Sequence, residues 1–375
     1  MQCGDAFSGQ QNPTEWKTVA KDLRLRLEEG IGSGASWDGD AFEAFSLAAF
    51  RLQFHTNSVY RAWCSALGWT SDDAMQLDDA SRIPFLPVEA FKWGDVWTKG
   101  AEEEAAPLVF RTSGTTGDTR RRGIHTVRTP DLYQLSARSG FERVFGPAGP
   151  EGAVILGLLP GYLERQDSSL VHMVQDLRGA GWSFPDESPS EGFYLDDAEG
   201  LFDAVDRTLE AGRTPVVIGV TWALVDAADA WRSSKRGALS DRVCLVETGG
   251  MKGRREEWVK ERVHDHLKEA FDCSAIFGEY GMTELLSQAW SKGSGTFEPP
   301  PWMRIFVRRT DDPFSEAADG ATGRLDIVDL ANLGSCCFLS TQDLVRPIST
   351  SSGLQFEVLG RFDHAEVRGC NLMVE

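Results

Sequence analysis

Apolar positions along the 375-residue chain fall into three regimes. In the first hundred residues they crowd into helical stretches. Phe42, Phe45, Leu47, Ala49, Phe50, Leu52 and Phe54 are too dense for a helix with a wetted face, so a buried packing helix is predicted there. Ile83-Pro84-Phe85-Leu86-Pro87 then breaks the pattern, because each proline removes a donor and drives its predecessor toward extended backbone. From Pro107 the order is strand, loop, helix, repeated. Short apolar runs at 108–110, 153–156, 215–220 and 243–246 read as buried strands, and helices are expected near 131–145, 168–180, 221–233 and 255–271. Such alternation predicts an α/β fold with a mainly parallel sheet flanked by helices, and ligands at the carboxyl ends of its strands.

After about residue 300 the pattern turns to β, with runs at 303–307, 324–328, 337–340 and 355–359. The expected organisation is a helical region over 1–100, an α/β nucleotide- and acyl-binding core over 101–300, and a small C-terminal β subdomain over 301–375. No internal repeat is visible, and the Gly/Ser/Pro stretch at 291–301 is expected to form a mobile loop.

Composition narrows the function. Lys and Arg number 38 against 57 Asp and Glu, and the formal charge of -19 opposes a nucleic-acid partner. Seven scattered cysteines, an odd count with no metal-like spacing, point to free thiols in a reducing compartment. The N-terminus lacks a basic region followed by an apolar run, and no stretch approaches the roughly 20 apolar residues of a membrane span, so a cytoplasmic location is expected.

Four segments carry chemistry. Thr112-Ser113-Gly114-Thr115-Thr116-Gly117 follows a predicted strand; its glycines let backbone N–H groups turn inward, and its hydroxyls add donors around phosphate oxygens. It is not a Walker A loop, because no Gly-Lys-Ser/Thr follows. The run Arg120-Arg121-Arg122 behind it serves either a phosphorylated ligand or a solvated turn. Phe277-Gly278-Glu279-Tyr280-Gly281-Met282-Thr283-Glu284 offers a ring to stack on a purine, a hydroxyl for a phosphate and a carboxylate suited to Mg²⁺, or an ordinary helix-start acid. Ser340-Thr341-Gln342-Asp343 supplies an acid able to accept both ribose hydroxyls, or one that opens a turn. The fourth segment, Gly360-Arg361-Phe362-Asp363, precedes a cysteine near the end of the sequence, Cys370.

In order and spacing these segments resemble the adenylate-forming superfamily of acyl-CoA synthetases, luciferases and peptide-synthetase adenylation domains. More narrowly, Ile83-Pro84-Phe85-Leu86-Pro87-Val88-Glu89-Ala90-Phe91-Lys92, the segment from Tyr162 to Val171, and Arg368-Gly369-Cys370 resemble the acyl-protein synthetase (LuxE) family of bacterial luminescence, over nearly the whole chain. The resemblance implies a large adenylate-forming N-terminal-type domain. It implies that Thr112, Ser113, Gly114, Thr115, Thr116 and Gly117 hold the ATP phosphates, with Arg120 in place of the usual lysine. Gly249 and Gly250 would lie beside adenine and Tyr280, followed by Gly281, would stack near it. Thr283 would contact the α-phosphate, Glu284 would hold Mg²⁺, and Asp343 would bind ribose with Arg361 close by.

Relatives continue into a mobile C-terminal domain with an adenylation lysine, which this chain is expected to lack. Cys370 falls where that domain's hinge would begin, so its thiol is placed to attack an acyl-adenylate, unless it has no role. The expected enzyme is an ATP-dependent acid–thiol ligase. It activates a carboxylic acid, by resemblance a fatty acid, to acyl-AMP with release of pyrophosphate, then holds the acyl group on Cys370 as a thioester for an acyl reductase partner. The alternatives are a coenzyme A or carrier-protein ligase of the phenylacetate-CoA ligase type and a non-catalytic nucleotide- or acyl-binding subunit. His125, His172, Lys252 and His364 carry less weight, although the segment beside His172 lines the acyl site in the resembling family.

Overall fold

The computed structural model describes residues 13–361 except 35–36, 113–121, 162–164, 235, 250–257 and 352. Four helices open it: α1 (Pro13–Gly32), α2 (Gly39–Thr56), α3 (Ser58–Ala66) and α4 (Ser71–Gln76). Their starts follow from side chains that accept orphan N–H groups: Asp38 caps α2, Asn57 caps α3, and Thr70 with Asp73 forms a capping box on α4. α2 is buried as expected, through Phe42, Phe45, Phe50, Leu52 and Phe54. The proline-broken segment then lays down a two-residue strand, β1 (Leu86–Pro87), and a 3-10 turn at Val88–Lys92.

The run at 108–110 does not join the parallel sheet. It forms β2 (Leu108–Arg111), paired antiparallel with β3 (Ile124–Val127) as a separate hairpin. Alternation explains the difference: Phe110 and His125 point inward, whereas Val109 and Ile124 are 40% and 42% exposed. After α5 (Pro130–Phe145) come β4 (Val154–Leu158), α6 (Ser169–Gly179), α7 (Ala198–Glu210), β5 (Pro215–Val220), α8 (Thr221–Ser234), β6 (Cys244–Thr248), α9 (Lys260–Phe271) and β7 (Phe277–Tyr280). β4 to β7 are parallel neighbours in sequence order, and β8 (Ala289–Ser291) closes the five-stranded sheet antiparallel to β7. α5 has no side-chain cap from Thr129; Glu103, distant in sequence, accepts from the N–H groups of Asp131 at 2.7 Å and Leu132 at 3.2 Å instead.

A six-stranded sheet is built from β9 (Thr296–Phe297), β10 (Met303–Arg308), β11 (Gly323–Asp329), β12 (Phe338–Thr350) and β13 (Gly353–Arg361), with β1 parallel to β12. The stretch expected to be a mobile loop instead joins the two sheets. β9 pairs with β13, and Trp290 and Glu298 exchange backbone hydrogen bonds at 3.1 and 2.9 Å.

Two apolar cores result. One packs α1 to α4, the β2–β3 hairpin and the six-stranded sheet; the other holds the parallel sheet and its helices. The chain from β7 to β8 crosses between them, since Ile276 and Trp290 belong to the second core and Tyr280, Leu285, Leu286 and Ala289 to the first. Asp329 fixes this crossing. Its buried carboxylate accepts from Leu286 N at 2.8 Å, Ser287 N at 3.0 Å, Ser287 Oγ at 2.6 Å and Ala331 N at 3.2 Å. Trp302 Nε1 donates to the hydroxyls of Ser287 and Ser136, tying the knot to α5. Asp329→Ala leaves those donors buried without an acceptor and is expected to cost on the order of 3 kcal/mol. Urea unfolding measures it, and a loss under about 0.5 kcal/mol would contradict this role.

Candidate functional site at the junction of the two cores

The β2–β3 hairpin brackets the hydroxyl-rich loop. Just inside it, Thr112 N donates to Gly123 O at 3.0 Å and Gly123 N to Thr112 Oγ1 at 2.9 Å, which pins the two ends of the loop together. Arg111 N donates to Asp167 O at 2.9 Å, while the Asp167 carboxylate pairs with Arg165 at 3.1 Å and Arg122 at 3.4 Å. The segment before α6 is thereby fastened to the mouth of the loop. Ser113, Gly114, Thr115, Thr116, Gly117 and Arg120 lie outside the described residues, as do Gly250, Lys252, His364 and Cys370.

Glu284 reaches the same mouth. A Cβ built on Gly123 would stand 3.0 Å from Thr112 Cγ2 and 3.3 Å from Glu284 Oε1, so glycine at 123 leaves room for both. The backbone around Glu284 is held on two sides: Asn332 Nδ2 donates to Glu284 O at 2.7 Å, and a ring nitrogen of the buried His125 bonds Thr283 O at 2.8 Å. The Glu284 carboxyl itself is 8% exposed and makes no hydrogen bond to the side chain or backbone of another described residue. Burial pushes its pKa up to about 7, against the lowering effects of its own backbone N–H, Arg361 and Lys92. Burial likewise holds His125 down to about 4, so the imidazole is neutral and serves to position Thr283.

Tyr280 ends β7 with its ring edge-on to Phe356 at 5.1 Å and its hydroxyl donating to Asp343 Oδ2 at 2.6 Å. Asp343 does not open a turn: it sits within β12, where that strand leaves its pairing with β1 and takes up β13. The register sets Arg361 directly opposite, Nε 3.6 Å from Asp343 Oδ1. Thus Tyr280, Asp343 and Arg361 converge from both sheets.

Side chains alternate along β7. Gly278 and Tyr280 turn toward Phe297, whereas Phe277 packs on Phe145 of α5 and Glu279 faces the same way. On the neighbouring strand, Thr248 Oγ1 donates to Glu279 Oε2 at 2.6 Å, and burial pushes the Glu279 pKa up to about 7 despite that bond. Glu247 turns to the other face, where Thr221 and His264 bond it at 2.7 and 2.9 Å. Thr221 also donates to Gly249 O at 2.8 Å, anchoring the start of the second glycine loop, where Gly249 has φ of +67°. A Cβ on Gly281 would come within 2.4 Å of Glu279 Oε1, so a side chain there would displace that carboxyl.

The described site residues Thr112, Thr283, Glu284, Tyr280, Asp343 and Arg361 therefore gather at one junction, with Gly249 and Gly281 at the adjoining strand ends. Sequence reasoning passed over Glu279 and Thr248. The signal for Glu279 was available: a carboxylate in an otherwise uncharged strand, between Gly278 and Tyr280. Nothing local marks Thr248 as its partner, since only the parallel register of β6 and β7 pairs them.

Among the described residues no group of three metal-binding side chains occurs. Mg²⁺ requires no such cage, since it keeps waters and takes one or two carboxylates plus substrate phosphates. The buried Glu284 carboxyl, bonded among the described residues only by its own backbone N–H, fits that demand. No described helix is long and apolar enough to cross a membrane.

This is a mixed α/β fold of two sheets with flanking helices. No family model matches the chain, and no curated protein matches it. Among solved structures it is similar to 2-hydroxyisobutyryl-CoA ligase in an open conformation with 2-HIB-AMP and CoA, with a TM-score of 0.61 at 12% identity, covering 88% of this chain and 72% of that one. The same ligase in the postadenylation state with R3-HIB-AMP gives 0.61 at 13% identity, covering 88% and 70%. Its thioesterification state with 2-HIB-AMP and CoA gives 0.54 at 14%, again covering 88% and 70%. At these identities the likeness is one of fold.

The two raised carboxyls make stability pH-dependent with a definite sign. Between their ordinary pKa of 4.5 and about 7, the folded state holds protons that the unfolded chain has lost, so stability falls as pH rises through that window. Glu279→Gln and Glu284→Gln do not titrate there. Each is expected to gain roughly 1–3 kcal/mol relative to the parent between pH 4.5 and pH 7.5, then to show no further change. His125 acts in the opposite direction but cancels in the comparison. Urea unfolding across this range checks it; a parent–variant difference that stays flat with pH would contradict the assignment.

Proposed function

We propose that the protein is an AMP-forming, ATP-dependent ligase that activates a carboxylic acid at the junction of its two cores. The reading is supported most by one convergence: the Glu284 carboxyl and Thr112 both border Gly123 at the mouth of the hydroxyl-rich loop, Glu284 feels the Arg361 charge, and Arg361 stands beside the Tyr280–Asp343 pair. In this reading the loop from Thr112 to Gly117, with Arg120, holds the triphosphate, and Asp343 takes the ribose hydroxyls through the lone pairs that Tyr280 and Arg361 leave open. Gly249 and Gly250 border adenine. Glu284 holds Mg²⁺, which when bound offsets charge on the phosphate oxygens. Thr283 is fixed by His125 to contact the α-phosphate.

A carboxylate oxygen of the acid attacks the α-phosphorus, the bond to the β-phosphate oxygen breaks, and pyrophosphate leaves. The product is an acyl-AMP mixed anhydride. Its carbonyl is then open to a thiolate: the C–S bond forms, the C–O bond to AMP breaks, and AMP departs. The sequence resemblance to acyl-protein synthetases supports Cys370 as that thiol, a fatty acid as the substrate class, and a reductase as the next acceptor. The fold likeness to a CoA ligase supports coenzyme A as the competing acceptor.

Acid-dependent ATP–pyrophosphate exchange with Mg²⁺ tests the first step. Exchange is expected with at least one acid, reduced about 100-fold or more in Glu284→Gln, and with a raised KM for ATP in Asp343→Ala. No exchange with any acid would overturn the reading in favour of a binding subunit. Labelled acid with ATP tests the second step. Hydroxylamine-sensitive label on the protein, lost in Cys370→Ala, is expected; equal label in that variant, or label passing only to added coenzyme A, would remove Cys370 from the reaction.

A further inference from the structure

Glu279 is unexplained by phosphate or nucleotide binding. It stands at the carboxyl end of a parallel strand, the place where such sheets receive ligands, on the opposite face of β7 from Tyr280. One oxygen, Oε2, accepts from Thr248. The other, Oε1, accepts no hydrogen bond among the described residues. It lies over Gly281, where the missing Cβ leaves it open, and the side chain keeps accessible surface. No described cation stands near enough to offset its charge. Tyr133, whose phenol feels the Glu279 charge, stacks on His172 with ring centres 5.9 Å apart and meets Phe110 at 5.6 Å.

The side chain is only partly buried, so water serves Oε1 until a ligand displaces it, and a ligand that does so leaves the oxygen unmatched unless it brings a donor of its own. The nucleotide-facing groups occupy the Tyr280 face, so the acid to be activated must approach from the Glu279 face. We propose that Glu279 reads the acid substrate, and that the acid it selects carries a hydrogen-bond donor, a hydroxyl or an amino group, rather than a bare alkyl chain. The donor fills the open position on Oε1 while Thr248 holds Oε2. Acids lacking it leave the carboxyl buried and unmatched, which is the kind of mismatch that discriminates strongly. The inference rests on the acid-activating reading above and narrows its substrate class.

The test is ATP–pyrophosphate exchange with matched sets of alkanoic acids, unsubstituted and bearing a hydroxyl or amino group at position 2, at position 3 or at the chain end. At least one donor-bearing member is expected to exceed its unsubstituted parent at least tenfold in kcat/KM. Glu279→Ala is expected to erase that ratio. Glu279→Gln keeps a preference for a hydroxyl and loses one for an ammonium group, which separates the two donors. Unsubstituted acids exchanging as well as every substituted partner, or a ratio unchanged in Glu279→Ala, would overturn the inference while leaving acid activation intact. Absence of exchange with every acid would overturn the underlying reading, and this inference with it.

Discussion

The carboxylate of Asp329 is the constraint on which the junction depends. Placed at the end of β11, it gathers four donors from two separate chain segments. The crossing chain between β7 and β8 has no helix or strand of its own over Gly281–Gln288, so its backbone groups need outside partners. Asp329 supplies two, and the adjoining turn supplies Asn332, which holds Glu284 O. Asn332 is in turn fixed from α2, where Gln53 reaches the carbonyls of Asn332 and Leu333 and accepts from Cys337 N at 2.9 Å. A line of hydrogen bonds thus runs from a buried N-terminal helix to the backbone of Glu284.

Against this well-satisfied frame, the site breaks the ordinary rules of burial. Glu284 is buried and Glu279 partly so, each without an ion pair among the described residues, while Asp329, fully buried, accepts from four donors. On the proposed reading, the contrast separates a structural acid from two that ligands complete. The Tyr280–Asp343 bond is the direct physical tie between the two sheets at that point, so groups that would bind nucleotide also report on how the two cores meet.

Much of this was legible in the sequence, for identifiable reasons. β4, β5 and β6 are continuous apolar runs, and α2 carries too many phenylalanines for any place but a core. The hairpin of β2 and β3 was misassigned because a four-residue apolar run has the same composition in an edge hairpin as in a parallel strand; only the alternation of Phe110 against Val109 separates them. α7 went unmarked, since its apolar positions at Leu201, Phe202 and Val205 are spread among acids. Asp343 read as a possible turn because the strand it lies in continues through Arg346 and Pro347, which look like an end. Pairings such as Thr248 with Glu279, or Arg361 with Asp343, depend on register between distant strands, which local composition does not encode.

The central claim is that the junction binds an acyl-adenylate. Isothermal titration with a non-hydrolysable acyl-sulfamoyl adenosine tests this without depending on turnover or on the final thiol acceptor. The account predicts saturable 1:1 binding that weakens at least tenfold, about 1.4 kcal/mol, in Asp343→Ala. Absence of binding, or equal affinity in that variant, would contradict it.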